Sequence, residues 1–391
     1  KKDTILAYND LNSNFKPLPF SFDRASSATR VNKEGLIETV GSGEPRIDYK
    51  DDSKGALLLE PQRSNLFTYS EQLNDGSGWI NQLGSTVIGN QSGVGNSTSA
   101  WKLNKASGTF KSLRFQSTLS SANYTLSWYL KKGSLDVVEV RFDGGASAQF
   151  IDFNLSTGVA GANNALTNIK MELINNGWYR CQASFNSALT NVHLYLGDAS
   201  STTQEGYIYA QSPQLEQGSY ATSYIPTSGG VVTRVAESCE QNLSNVVSLT
   251  EGVIYIDTTN LGTDNNSNII SHHSVTDTVF CLKIDSSNKI AMGLFASGVN
   301  VSINSTSSYP LGARTKIALH YKSGDMSLYI NGSLEGTNGA SFTLGSGFAS
   351  ALRLIDATTA YNAYPSKSIV SDFRIYNTAL TDQELINLTT I

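Results

Sequence analysis

Helical periodicity is nearly missing from this 391-residue chain, and charge, cysteine and long apolar runs are scarce. Charged residues are 16% of the total and the formal net charge is −5, so the basic stripe that nucleic-acid backbones demand is not there. No apolar run reaches the roughly 18 residues that suggest a membrane-crossing helix. Three cysteines, Cys181, Cys239 and Cys281, are an odd number at wide spacing and cannot form a full disulfide framework. Cys181 and Cys281 sit in alternating apolar runs and read as buried thiols. The missing helical pattern excludes the α/β enzyme folds. The chain opens Lys1-Lys2-Asp3 with no initiator Met and no apolar signal core, as expected of a fragment or a processed product.

What the chain has is short-range alternation. YTLSWYL (124–130), DVVEVRF (136–142), FIDFNL (150–155), GWYRCQASF (177–185), NVHLYLG (191–197) and EGYIYAQSPQLE (205–216) all alternate apolar with polar residues. Gly, Ser and Asn turns separate them, the pattern of an all-β sandwich. At this length two or three domains with full cores are expected. Residues 1–56 have weak apolar spacing and frequent turn punctuation, so they read as an extended arm. An arm of this kind cannot bury a core of its own and should lie along a neighbouring domain or another subunit. The all-β body divides into residues 57–238 and 239–391, an arm followed by two antiparallel β-sandwiches.

GALLLEPQRSNLFTYS (55–70) joins arm to body. An apolar run, Ala56 to Leu59, stands directly before Glu60, Pro61, Gln62 and Arg63. An unpaired charge in such a setting costs several kcal/mol, so Glu60 and Arg63 are expected to form a structural clasp. Upstream lies FSFDRASSATRVNKEGLIETVGSGEPRIDY (20–49). The two stretches, in this order, resemble the head-spike or tail-appendage proteins of tailed bacteriophages. In that family an F-x-R-x-S-x-A-T-x-V-x-x-x-G-L-I-E segment precedes L-x-E-P-Q-R-x-N-L and a jelly-roll, carbohydrate-binding-like domain. NGWYRC (176–181) and YIYAQSPQLEQGSYATSYIPT (207–227) are similar to the last strands of carbohydrate-binding jelly rolls. KIALHYKSGDMSLYINGSLEG (316–336) has the turn chemistry of tight hairpins. With SDFRIYNTALTDQELINL (371–388) it resembles a laminin-G-like or concanavalin-like lectin sandwich. Thr381 and Glu384 are spaced as a capping box for a short terminal helix.

No catalytic constellation stands out. The four histidines, His193, His272, His273 and His320, are scattered, and neither G-x-S-x-G nor H-E-x-x-H occurs. The paired carboxylates of concanavalin-type glycoside hydrolases, E-x-D-x-E on one strand, are missing. Glu139-Val140-Arg141 and Asn191-Val192-His193 are a faint echo of jelly-roll polysaccharide lyases. The expectation is therefore a protein without catalytic residues.

Two kinds of ligand site are candidates. Residues 263–268 are dense in oxygen ligands, and Asp264 and Asn266 could hold Ca²⁺; a polar hairpin loop with Asx turns accounts for them better. The jelly-roll resemblance implies a structural Ca²⁺ near the first and last strands, which points to Glu71, Asn74 and Glu216. Alternation places Tyr124, Leu126, Trp128 and Leu130 inward, and likewise Val138, Val140, Phe142, Val192, Leu194 and Leu196. That leaves Tyr129, Lys131, Glu139, Arg141, His193 and Tyr195 outward, a polar and aromatic set suited to stacking on and hydrogen bonding a sugar. Ordinary cross-strand pairing explains the same residues on a plain sheet surface. Trp79, Trp101 and Trp178 read as core or rim packing, and Tyr309, Tyr361 and Tyr364 as alternative stacking residues.

The resemblance implies a non-enzymatic virion appendage, exposed on the particle surface, that adheres to glycans. Its expected partners are glycans, other virion proteins and its own copies, a trimer being plausible for such appendages. No nucleic-acid partner and no membrane insertion are expected. A virion component that binds no sugar, or the binding modules of a secreted polysaccharide-active enzyme, remain open readings, since fold likeness alone does not fix function.

Overall fold

The computed structural model describes residues 6–9, 15–17, 20–74, 76, 78–263, 267–273, 278–296, 298–354 and 366–391. The protein is all-β apart from a short 3-10 turn and one α-helix among these residues, Asp382–Thr389. It forms two compact units. One comprises residues 1–27, 40–62 and 235–391, the other residues 28–39 and 63–234. The segment expected as an extended arm, 1–56, is divided between the units: it adds strands to the sheets of the first, and in the second Ala28–Val31 and Ile37–Val40 form a two-stranded sheet of their own.

In the second unit two very long strands, Ser112–Lys132 and Trp178–Leu196, pair antiparallel along nearly their whole length. Two register shifts interrupt the ladder between Gln116 and Ala122, and bulges of this kind bend a strand. Each long strand therefore has different neighbours at its two ends, all within one 10-stranded sheet. Their halves at Tyr124–Lys131 and Trp178–Phe185 join Gly206–Gln217, Ala100–Lys105 and Thr86–Gln91 on one side and Thr167–Leu173 on the other. Their other halves join Trp79–Gln82, Val137–Asp143, Gln149–Asn154 and Val159–Asn163.

Inward residues from both ends of this sheet meet in one core. Leu126, Trp128, Leu130 and Phe185 pack with Val138, Val140, Phe142, Val192 and Leu194. The inward assignments made from alternation hold, because a strand with one buried face must place its apolar residues two apart. At the centre Trp79, Trp128, Phe67 and Phe115 pack with ring centroids 4.8 to 6.4 Å apart. Trp79 and Trp178 are core residues, and Trp101 is half-buried against the core.

In the first unit a sheet centred on Glu251–Thr263, Arg314–Lys322 and Ser366–Tyr376 and a sheet centred on Ser267–His273, Thr278–Ile284 and Ile290–Ala296 share one apolar core. The polar leader contributes real elements here. Leu6–Asn9 pairs parallel with Ser366–Tyr376, and Ser21–Asp23 pairs with Ser238–Gln241. Ala56–Leu59 is also a strand of this unit, pairing with Ser366–Tyr376 and with Arg46–Asp48. All four of its residues are buried, because alternate side chains enter two different clusters. The terminal helix starts at the expected capping box: Glu384 N–H donates to Thr381 Oγ1, and Thr381 N–H to Glu384 Oε2 at 2.8 Å. Leu385 then packs on Val253, Tyr255, Ala318 and Tyr329 on the outer face of the sheet.

The charged residues of the leader motifs form a buried network. The Arg46 guanidinium donates to Glu60 at 2.9 Å and to both carboxylate oxygens of Glu237. Arg24 donates to Glu237 at 2.7 Å, and Lys367 lies 3.4 Å from Glu60. The side chains of Arg24, Arg46, Glu60 and Glu237 are wholly buried. Burial alone would weaken the Arg46 charge, but Glu60 and Glu237 outweigh it and push its pKa up. Glu60 is held by Arg46, brought in by the neighbouring strand, whereas Arg63 belongs to the second unit and lies 5.0 Å over the Tyr220 ring.

Candidate functional site

Cross-strand register decides which expected ligand residues can meet. His193 stands opposite Arg141 on one side and Arg114 on the other, and Tyr195 stands opposite Glu139 and Ser112. Glu139 in turn faces Asp152. Glu139, Arg141, His193 and Tyr195 therefore share the outer face of one sheet, as alternation indicated.

Tyr129 and Lys131 do not join them. They lie at the far end of the Ser112–Lys132 strand, beyond its register shifts, where Gly206–Gln217 is the neighbour. Tyr129 is buried beneath Val94, Ala100 and Trp178, with Arg180 5.7 Å over its ring. The bend in the long strand causes this separation, and alternation within one strand carries no trace of it.

The four remaining residues are tightly engaged with one another. The Arg141 guanidinium donates to Glu139 at 2.9 Å and lies 5.1 Å over the Tyr195 ring. His193 and Tyr195 stack nearly parallel, centroids 5.2 Å apart. His193 Nε2 is 3.1 Å from Asp143 and its Nδ1 is 3.4 Å from Ser112 Oγ. Burial pushes the His193 pKa down, only partly opposed by Asp143. Burial likewise pushes Glu139 up despite Arg141, and Asp152 up with help from Asp198.

His193 is 6% exposed and Tyr195 7%. They form the floor of the face, not its contact surface. With both ring nitrogens turned to protein partners, His193 is badly placed to take a proton from a bound sugar, although the Glu139-Val140-Arg141 and Asn191-Val192-His193 pieces are cross-strand neighbours.

Two residues of this face were not singled out in the sequence. Phe110 is 44% exposed and packs edge-on to Tyr195 at 6.0 Å. Its φ is +55°, a conformation that costs a bulky residue energy and is uncommon outside glycine and asparagine. Its N–H donates to Ala199 at 2.8 Å, and that of Gly108 to Thr202 at 2.9 Å, so the loop is fixed with the ring outward. Arg114 is the second. Its neighbours Ile80 and Gln116 line an open depression of about 520 Å³. The signal for Phe110 was an apolar residue in a Ser-Gly-Thr turn, and nothing local marked Arg114.

The other candidate positions are elsewhere. Glu216 is buried and accepts from the N–H and hydroxyl of Thr222, and Glu71 accepts from the Tyr224 hydroxyl. Asp264, Asn266, Tyr361 and Tyr364 lie outside the described residues. Among the described residues no cluster of three or more His, Cys, Asp or Glu is placed to hold a metal ion. Tyr309 is buried and donates to Glu335 at 2.8 Å, which leaves little ring for stacking. The three cysteines are free, and burial pushes each thiol up, Cys239 to about 12.

The first unit has a polar face too. Arg314 makes two hydrogen bonds to Asp257 at 2.8 and 2.6 Å, and Asp257 lies opposite Asp372, itself paired with Arg374.

Residues 254–386 match the Laminin_G_3 family, described as the concanavalin A-like lectin/glucanases superfamily. The match covers less than half of the chain. Comparison with curated proteins finds no match. Among solved structures, the chain is similar to the CBM40 of a Ruminococcus gnavus IT-sialidase bound to α2,3-sialyllactose, at 20% identity over 39% of this chain and 92% of that one, TM-score 0.33. Domain 4 of AbnA, a GH43 arabinanase from Geobacillus stearothermophilus in complex with arabinotriose, is similar at 15% identity over 44% and 82%, TM-score 0.34. Mouse laminin α1 domains LG4-5 follow at 9% identity over 80% and 88%, TM-score 0.26. No helix among the described residues is long and apolar enough to cross a membrane.

Proposed function

We propose that this is a non-catalytic glycan-binding protein whose second unit takes a saccharide on the face built around Phe110, Arg141 and Asp152. The observation that carries this reading is Phe110, an exposed aromatic ring held outward in a costly backbone conformation beside stacked Tyr195 and His193. Strain at an exposed apolar residue is retained where the ring does something a polar turn residue would not. Aromatic faces stack on the C–H side of a sugar, while Arg141, Glu139 and Asp152 offer donors and acceptors to its hydroxyls.

A second reading places the sugar on the first unit. It is supported by the lectin/glucanase family match there and by the face carrying Asp257, Arg314 and Arg374. The likeness of the leader motifs to phage appendage proteins supports display on a virion surface, with other virion proteins and its own copies as partners. Weak single sites repeated over many copies would then act by avidity.

A glycan-array screen tests the reading, run with Ca²⁺ and again with EDTA. Saccharide hits are expected, and loss of them in EDTA would bring a structural Ca²⁺ into the account. A folded protein with no hits would replace adhesion by a purely structural role.

A further inference from the structure

On the glycan face of the second unit the charges are nearly all spoken for. Arg141 is paired with Glu139, and His193 lies 3.1 Å from Asp143. Among the cations, Arg114 is the exception. It is half-buried, its Nε is wholly buried without a hydrogen-bond partner, and no carboxylate among the described residues is paired with it. A guanidinium partly stripped of water and left unmatched is costly, and the planar fork that suffers most is the one that best accepts a two-oxygen anion.

The face is also polarised. Arg114 sits on the Ser112–Lys132 strand and Asp152 on Gln149–Asn154, with two strands between them. At about 4.8 Å per strand the two ends are roughly 14 Å apart, the span of a short oligosaccharide. Beside Arg114 the depression lined by Ile80 and Gln116 provides room for a sugar ring.

From this geometry we infer that the saccharide is an acidic one, with a carboxylate or sulfate read by Arg114 and a hydroxyl-rich neighbour lying toward Phe110 and Asp152. The inference rests on the glycan reading above. The polar order of the face fixes the direction of the chain, anionic unit at the Arg114 end.

The test uses the whole chain on an array of paired oligosaccharides: uronate-, sialate- and sulfate-bearing members, each beside its carboxyl-reduced or desulfated counterpart. Wild type is expected to prefer acidic members, and the pair that responds identifies carboxylate or sulfate as the group. Arg114→Gln should lose about tenfold or more for that member and change little for its neutral counterpart. Arg114→Lys should recover part of the loss. Thermal melting confirms that each variant is folded. Equal binding of acidic and neutral members, indifferent to Arg114→Gln but abolished by Phe110→Gly, would overturn the acidic assignment while leaving the glycan site standing. No binding of any member by folded wild type would overturn both.

Discussion

At the scale of single residues, Phe110 and Trp128 separate two roles that composition treats alike. The Phe110 ring is outward and strained, and Trp128 is 1% exposed inside an aromatic cluster. Phe110→Gly removes a ring and at the same time relieves an unfavourable φ, since glycine adopts positive φ at little cost. Its melting temperature is therefore expected to stay level or rise while glycan affinity falls, which calorimetry and binding titration would show together. Trp128→Ala should instead cost about 3 to 5 kcal/mol in chemical denaturation, the range for truncating a large core aromatic. Inward residues such as Trp128 were legible because alternation reports burial directly. Arg114 was not, because its meaning comes from what the adjoining strands leave unpaired.

At the scale of elements, Glu335 on Ser333–Asn338 shows how one carboxylate ties a strand to a loop. It accepts from Thr306 N–H at 2.8 Å and Oγ1 at 2.6 Å, from Ser307 N–H at 2.9 Å and from Tyr309 hydroxyl at 2.8 Å. Burial alone would raise its pKa, but these donors outweigh it and hold the group at about 2, against an ordinary 4.5. A carboxyl depressed by folding contributes stability that is present above its unfolded value and is lost as pH falls through its folded value. Stability of this unit should thus decline between pH 4.5 and 2, and Glu335→Gln should flatten that limb of a melting-temperature profile. The terminal helix is a simpler case: Thr381→Ala removes its cap and should cost about 1 kcal/mol. Its capping box was visible in sequence, because caps are set by residues three apart. The change of neighbours along the Ser112–Lys132 strand was not visible. It separated Tyr129 and Lys131 from the other four ligand candidates.

At the scale of the whole molecule, the leader is held by charge inside a β-sandwich. Arg24 and Arg46 from the leader meet Glu60 and Glu237, residues far apart in the chain, with no side-chain exposure. Breaking such a network strands a buried charge, so Glu237→Gln is expected to cost about 3 to 5 kcal/mol. Arg30→Gln, at a half-exposed pair with Glu38, should cost no more than about 1 kcal/mol. Comparable losses in the two variants would contradict the buried network. The motifs containing these residues were recognisable, but their partners were not, since strand pairing over nearly 200 positions leaves no local pattern. The central claim is that the saccharide is bound by the face around Phe110. It is tested most directly by titrating one array-positive glycan into wild type and Phe110→Gly. The account requires saturable binding to wild type and at least a tenfold loss in a variant of equal or greater stability. Undiminished binding to Phe110→Gly would contradict it and move the site to another surface.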